Sequence, residues 1–190
     1  METNNILRAE KWLEYETDQG FSGEQEICPS RDVFQARIDK VRQEFETATA
    51  FKADRIYPLI AVVGEIGNNS FDHNLGKWRD IAGIYFDVDF ENKTIVLADR
   101  GQGIFSSIKN VRPDIANDLE AIEIAFTEKI SGRYPEKRGN GLKFVTKVAQ
   151  NLGLEIILRS GDAMAKIENK ILSFKNTDDN MKGVLAVIKY

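Results

Sequence analysis

Glu65 and Asn69 lie one helical turn apart, and His73 one turn further on, in the stretch Leu59-Ile-Ala-Val-Val-Gly-Glu65-Ile-Gly-Asn-Asn69-Ser-Phe-Asp72-His73-Asn74. Residues four apart share a helix face, so the three form a polar stripe along an otherwise apolar helix. An amide oxygen is a hard ligand for a cation, and a carboxylate on the same face can act as a base toward water. A solvated helix face carries the same residue types, so this segment alone leaves both readings open.

Two further segments carry chemistry. Asp99-Arg-Gly101-Gln-Gly103 follows an apolar strand pattern directly. An aspartate at a strand end can accept a hydrogen bond from an exocyclic amine, and glycines let a ligand approach the backbone closely. A plain turn has the same composition. Arg138-Gly139-Asn140-Gly141-Leu142 opens a helical pattern. Free N–H groups at a helix N-terminus favour phosphate, and Arg133, Lys137 and Arg138 add positive charge just upstream. A Gly-x-Gly before a helix is also an ordinary entry loop. Rival motifs are missing: no Gly-x-x-x-x-Gly-Lys-Ser/Thr, no Gly-x-Gly-x-x-Gly and no Gly-x-Ser-x-Gly occurs, and the single histidine rules out a His-x-x-x-His pair.

The elements that must position these residues can be read from periodicity. Ser30 is an N-cap for a helix carrying Val33, Phe34, Ile38, Val41 and Phe45 at helical spacing. A second helix runs from Ala53-Asp54 to about Asn74, with Gly76 at its end. Gly83–Phe90 alternates as a strand, Glu91–Lys93 turns, and Thr94–Ala98 continues as a buried strand. A helix is predicted over roughly Asn117–Lys129 and another from Leu142 to Leu152, stopped by Gly153. The C-terminal part reads as four strands: Leu154–Arg159, Ala163–Glu168, Lys170–Phe174 and Val184–Lys189. Helices, hairpin, helices, then strands predict an α/β (α+β) two-layer sandwich.

The 190 residues suffice for one domain with a real core, and 42 % hydrophobic with 29 % charged residues is ordinary for a soluble globular protein. A net charge of −4 makes a nucleic-acid partner an unfavoured expectation, because backbone binding draws its affinity from basic excess. One cysteine, Cys28, excludes an intramolecular disulfide. The polar start does not read as a signal peptide, and no apolar run nears the roughly 20 residues of a membrane span. A cytoplasmic protein without membrane partners is therefore expected.

Taken in order, the three segments resemble the motifs of the GHKL ATPases: gyrase B-type subunits, Hsp90 chaperones, histidine-kinase catalytic domains and MutL-type repair proteins. Glu65-x-x-x-Asn69 is similar to the N box. Asp99-x-Gly101-x-Gly103 and Gly139-x-Gly141-Leu142 are similar to the two glycine boxes, and Phe126 to the phenylalanine box of the kinases. The resemblance covers about residues 31–190, leaving 1–30 as an N-terminal extension that covers a layer or serves partner contact. It implies the Bergerat fold with a mixed, mostly antiparallel sheet, and ATP between the helical layer and a lid at about 104–138. It further implies ATP and Mg2+ as cofactors, with Asn69 on magnesium and Glu65 as the catalytic base. Asp99 would bind the adenine amine, Gly101 and Gly103 would shape the pocket, and Gly139 and Gly141 would contact phosphate. Arg138, Asn140 and Leu142 belong to the same nucleotide-binding segment. Asp72 stands where many histidine kinases carry a basic residue and gyrase-like members an acid. The chain departs from the pattern at Lys182-Gly183-Val184, where many members have Gly-Thr, and it lacks a four-helix phosphoacceptor module.

The expected function is therefore an ATPase or a protein serine/threonine kinase similar to the bacterial anti-sigma factors, acting on a regulatory protein partner as a homodimer. The alternative is an ATP-gated protein-binding switch with little turnover. A relative that has lost nucleotide binding is the third reading.

Overall fold

The computed structural model describes residues 3–14, 24–47, 52–129 and 140–190. Its helices are α1 (Asn4–Glu14), α2 (Arg31–Thr47), α3 (Ala53–Asn74), α4 (Gly103–Lys109), α5 (Asp118–Thr127) and α6 (Gly141–Leu152). The strands are β1 (Ile27–Cys28), β2 (Ile84–Asp89), β3 (Thr94–Asp99), β4 (Glu155–Glu168) and β5 (Ile171–Lys189). The sheet order is β1-β2-β3-β5-β4.

The two-layer α+β sandwich expected from the element order is present. Phe34, Ile38, Val41 and Phe45 of α2 and Ile56, Leu59, Val62, Val63 and Ile66 of α3 bury their apolar faces against Ile84, Phe86, Ile95, Leu97, Ala186 and Ile188 of the sheet. Each such fully buried side chain contributes about 1.5–3 kcal/mol. The ring of Phe34 fills the space beside Gly67 so closely that a side chain at 67 has no room. That contact sets how near α3, which carries Glu65 and Asn69, lies to α2.

The other face of the sheet is not bare. Ile6, Ala9, Trp12 and Leu13 of α1 pack on Tyr85, Val96, Ala98, Leu185 and Val187. Strand side chains alternate between faces, so β3 sends Ile95 and Leu97 to the main core and Val96 and Ala98 to α1. Burial on both faces is why this strand reads as an unbroken apolar run. Cys28 on β1 is fully buried.

Two sequence expectations are corrected. The sheet is not mixed: every pairing among the described strands is antiparallel. The helical crossover from β3 does bring β4 back in the same direction, but β5 inserts between them and separates the parallel pair. The four C-terminal strands are in fact two long ones, β4 and β5, joined at Asn169-Lys170 and paired along most of their length, with register shifts around Gly161. The polar run Lys175–Lys182 looks like a loop by composition. It belongs to β5 because that half of the hairpin extends largely into solvent and needs no apolar residues.

Candidate nucleotide site

α3 and the end of β3 build one side of the site together. Asp99 closes β3 and is 2 % exposed. Its Oδ2 accepts from Ser70 Oγ at 2.7 Å, and its Oδ1 accepts from Asn74 Nδ2 at 3.0 Å and from the Gly101 N–H at 2.9 Å. Burial pushes the Asp99 carboxyl above the ordinary aspartate range, while these three donors pull the other way. A carboxylate offers about four acceptor positions, so three are taken and one remains for a donor in the cavity that Asp99 lines.

The glycines around Asp99 are dictated by close approach. The Asn74 amide occupies the space a side chain at Gly101 would need. That amide also accepts from the Gln102 N–H at 3.1 Å, and Gln102 Nε2 donates to the His73 carbonyl at 2.7 Å, so the turn after β3 is laced to the end of α3. Gly103 has φ +77° and starts α4; Gly183 has φ +100° and faces the Asp99 carbonyl. Both angles are strained for any residue with a Cβ. Ser160 ties these pieces together: its Oγ donates to the Gly183 carbonyl at 2.9 Å and accepts from the Ile104 N–H at 2.9 Å. This buried hydroxyl comes from β4.

The second glycine segment meets the first motif. Gly141 begins α6 against Glu65, whose carboxylate sits well inside the 3.0 Å that real Cβ atoms keep. Asn140 at the N-cap makes no side-chain capping bond, so the first-turn N–H groups of α6 have no side-chain cap from it and point as an anion site would require.

A cavity of about 330 Å³ gathers these groups, at the lower end of the roughly 300–1,000 Å³ common for small-molecule sites. Glu65, Asn69, Asp72, His73, Asp99, Gly103, Asn140, Gly141 and Leu142 all line it. Gly101 stands behind Asp99 and not on the wall. Ile104, Ser107 and Ile108 of α4 and Ala125 of α5 complete the lining. α4 and α5 share a small apolar cluster of their own, Ile108, Ile115, Ala121 and Ile124. Phe126 is core, packed edge-on against Phe174 with centroids 6.0 Å apart. Arg138 and Gly139 lie outside the described residues, as do Arg133 and Lys137.

His73 joins two walls of the cavity. Its Nδ1 is 2.9 Å from Ser107 Oγ on α4, a bond either group can donate. Burial, and then the Lys77 charge, hold its pKa below the usual imidazole value, which favours the neutral ring.

Among the described residues no three of His, Cys, Asp or Glu gather as a metal cage. The Asn69 amide oxygen and the Glu65 carboxylate line this part of the cavity, while the Asp72 carboxylate is paired with Arg31. This hard-oxygen set fits magnesium, which usually takes one or two protein oxygens and completes its shell with water and substrate phosphate.

Sequence reasoning gave no role to Ser70, Asn74, Ser160 or Arg31. Ser70 and Asn74 are four apart on α3, a second polar stripe beside the first, and that spacing was the available signal. Arg31 Nη2 pairs with Asp72 Oδ1 across 41 positions, and no local pattern announces it.

No family model matches the chain. No curated protein matches it either. Among solved structures the chain is similar to the ATPase region of Saccharomyces cerevisiae topoisomerase II, at 19 % identity and TM-score 0.45, covering 67 % of this chain and 36 % of that one. The same region bound to ICRF-187 (dexrazoxane) gives 19 % identity and TM-score 0.46, covering 69 % and 37 %. The N-terminal domain of a DNA repair protein gives 18 % identity and TM-score 0.38, covering 68 % and 34 %. The chain thus spans about a third of the length of these structures. Among the described residues no helix is long and apolar enough to cross a membrane.

Proposed function

We propose that the chain is a Mg-ATP-binding domain of the GHKL type that acts as an ATPase or protein serine/threonine kinase. One observation carries this reading. The Glu65–Asn69 face of α3, the Asp99 carboxylate and the N-terminus of α6 converge on a single cavity, although they are far apart in the chain.

In this reading Asp99 offers its remaining acceptor position to the adenine amine. Ser70, Asn74 and the Gly101 N–H orient that carboxylate and oppose the upward shift that its burial causes. The N–H groups opening α6 receive phosphate. Asn69 holds magnesium, which when bound supplies charge neutralisation on the phosphates. Glu65, beside Gly141, is placed to take a proton from water or from a partner's hydroxyl. Calorimetric titration of Mg-ATP into the protein tests binding, and absence of heat would remove the core of the reading. Phosphate release or partner labelling, compared with Glu65→Gln, tests the chemistry.

A second reading is an ATP-gated switch that recruits a regulatory protein, with little turnover. Its support is the α4–α5 wall, whose separate apolar cluster lets the two helices respond together to a ligand. If Glu65→Gln binds Mg-ATP like the wild type and both release phosphate equally slowly, this reading displaces the first.

A further inference from the structure

We infer that Arg31 binds the terminal phosphate of the nucleotide, trading its ion pair with Asp72 for that phosphate, and so sets the preference for triphosphate over monophosphate. The inference rests on the nucleotide reading above and adds a residue to that site.

Charge in the cavity argues for it first. Glu65, Asp72 and Asp99 bring three carboxylates to the lining, and Arg31 is the only lysine or arginine among its described residues. A polyanion entering such a cavity needs compensation on the phosphate side, where Glu65, Asn69 and Asp72 lie. Arg31 lines the same cavity.

Its place in the helix argues second. Arg31 is the first residue of α2. A cation there opposes the helix dipole and costs stability. A guanidinium at this position makes physical sense when an anion sits beside it, and Asp72 is such an anion.

The pair is also easily exchanged. The Arg31 side chain is 46 % exposed and that of Asp72 17 %. An ion pair this open to solvent is weak. A phosphate carries more charge than one carboxylate and matches the planar guanidinium fork with two parallel N–H bonds. Asp72 therefore acts as a competitor that parks the guanidinium until a phosphate arrives.

The test measures affinities of wild type, Arg31→Ala, Arg31→Lys, Asp72→Asn and the double variant Arg31→Ala/Asp72→Asn for Mg-ATP, Mg-ADP and AMP, with thermal melts to verify folding. Arg31→Ala should lose about tenfold or more for ATP, consistent with a charge-assisted hydrogen bond, and less than twofold for AMP. Arg31→Lys should recover part of that loss. Asp72→Asn should bind ATP more tightly than wild type, and the double variant should bind it less tightly than Asp72→Asn. Equal losses for ATP and AMP in both Arg31 variants, or an ATP affinity unchanged in both, would overturn the inference while leaving the nucleotide reading intact. Wild type that binds none of the three nucleotides would overturn the parent reading, and this one with it.

Discussion

The Glu65 carboxylate occupies the space that a side chain at Gly141 would fill. The colliding atom is the far end of a flexible side chain, so Gly141→Ala is tolerated by moving the carboxylate and not by moving the backbone. The fold should melt within a few degrees of wild type. The proposed chemistry should not be so forgiving, because misplacing a reacting group by about 1 Å can cost about 100-fold. Phosphate release beside a thermal melt checks both halves. Wild-type turnover in Gly141→Ala would remove Glu65 from the reaction.

Asp99→Asn separates binding from folding. An asparagine can keep its oxygen toward Asn74 Nδ2 and the Gly101 N–H, and the Ser70 hydroxyl can turn from donor to acceptor for the new NH₂. Stability should therefore change little. The cavity-facing group becomes a donor opposite an amine, and ATP affinity should fall about 10- to 100-fold. Asp99→Ala instead leaves the buried Asn74 and Gly101 donors without a partner and should cost about 1–3 kcal/mol of stability. Titration calorimetry and denaturant melts of the two variants distinguish these effects.

His73 predicts a pH dependence of stability. Its folded pKa lies below the ordinary value of about 6.5, so between the two values the unfolded chain binds more protons than the folded one. The stability held in the neutral His73–Ser107 contact is complete above about pH 6.5 and is lost as pH falls below it. Melting temperatures should drop over that window, and His73→Asn should flatten the drop. An identical slope in the variant would assign the titration to another group.

Arg100 is the neighbour of Asp99 but points to the other face of the sheet. It is 1 % exposed, pairs with Asp80, donates to the Trp12 and Leu13 carbonyls and stacks on the Trp12 ring at 5.7 Å. Arg79 Nη2 also donates to the Leu13 carbonyl at 2.7 Å. Two guanidiniums thus cap the C-terminus of α1, where the helix dipole favours cations. Arg100→Ala should cost about 3 kcal/mol, the low end for a buried pair because Asp80 is one-quarter exposed. In a chain of this size that is about 6–12 °C of melting temperature. Arg100 also holds the Asp80 carboxyl down to about 2. That contribution is present above the ordinary aspartate value of about 3.9 and is lost as pH falls toward 2, so the acid limb should be missing in Arg100→Ala.

Much of the candidate site was legible because the residues that line the cavity fall at positions with local meaning. Glu65 and Asn69 share a helix face, Asp99 ends an apolar run, and Gly141 opens a helix. What was not legible depends on distance in sequence. Ser70 and Asn74 look like ordinary helix residues until Asp99 is placed against them. Arg31 gains its meaning only from Asp72. Ser160 sits within a strand, and its use as a bridge between Ile104 and Gly183 needs the fold. The long β4–β5 hairpin was read as four pieces because its outer half is exposed, and exposure removes the apolar alternation by which a strand is recognised.

Cys28 has a practical consequence. Its thiol is fully buried, and burial pushes its pKa up to about 11, so at neutral pH almost no reactive thiolate is present. Maleimide and related reagents should leave the native protein unmodified and react only after unfolding. A single cysteine introduced at the exposed Leu75, just past α3, would then be the one site that accepts a fluorophore. The native sequence thus supplies a silent background for optical measurement of what the end of α3 does when a nucleotide is added.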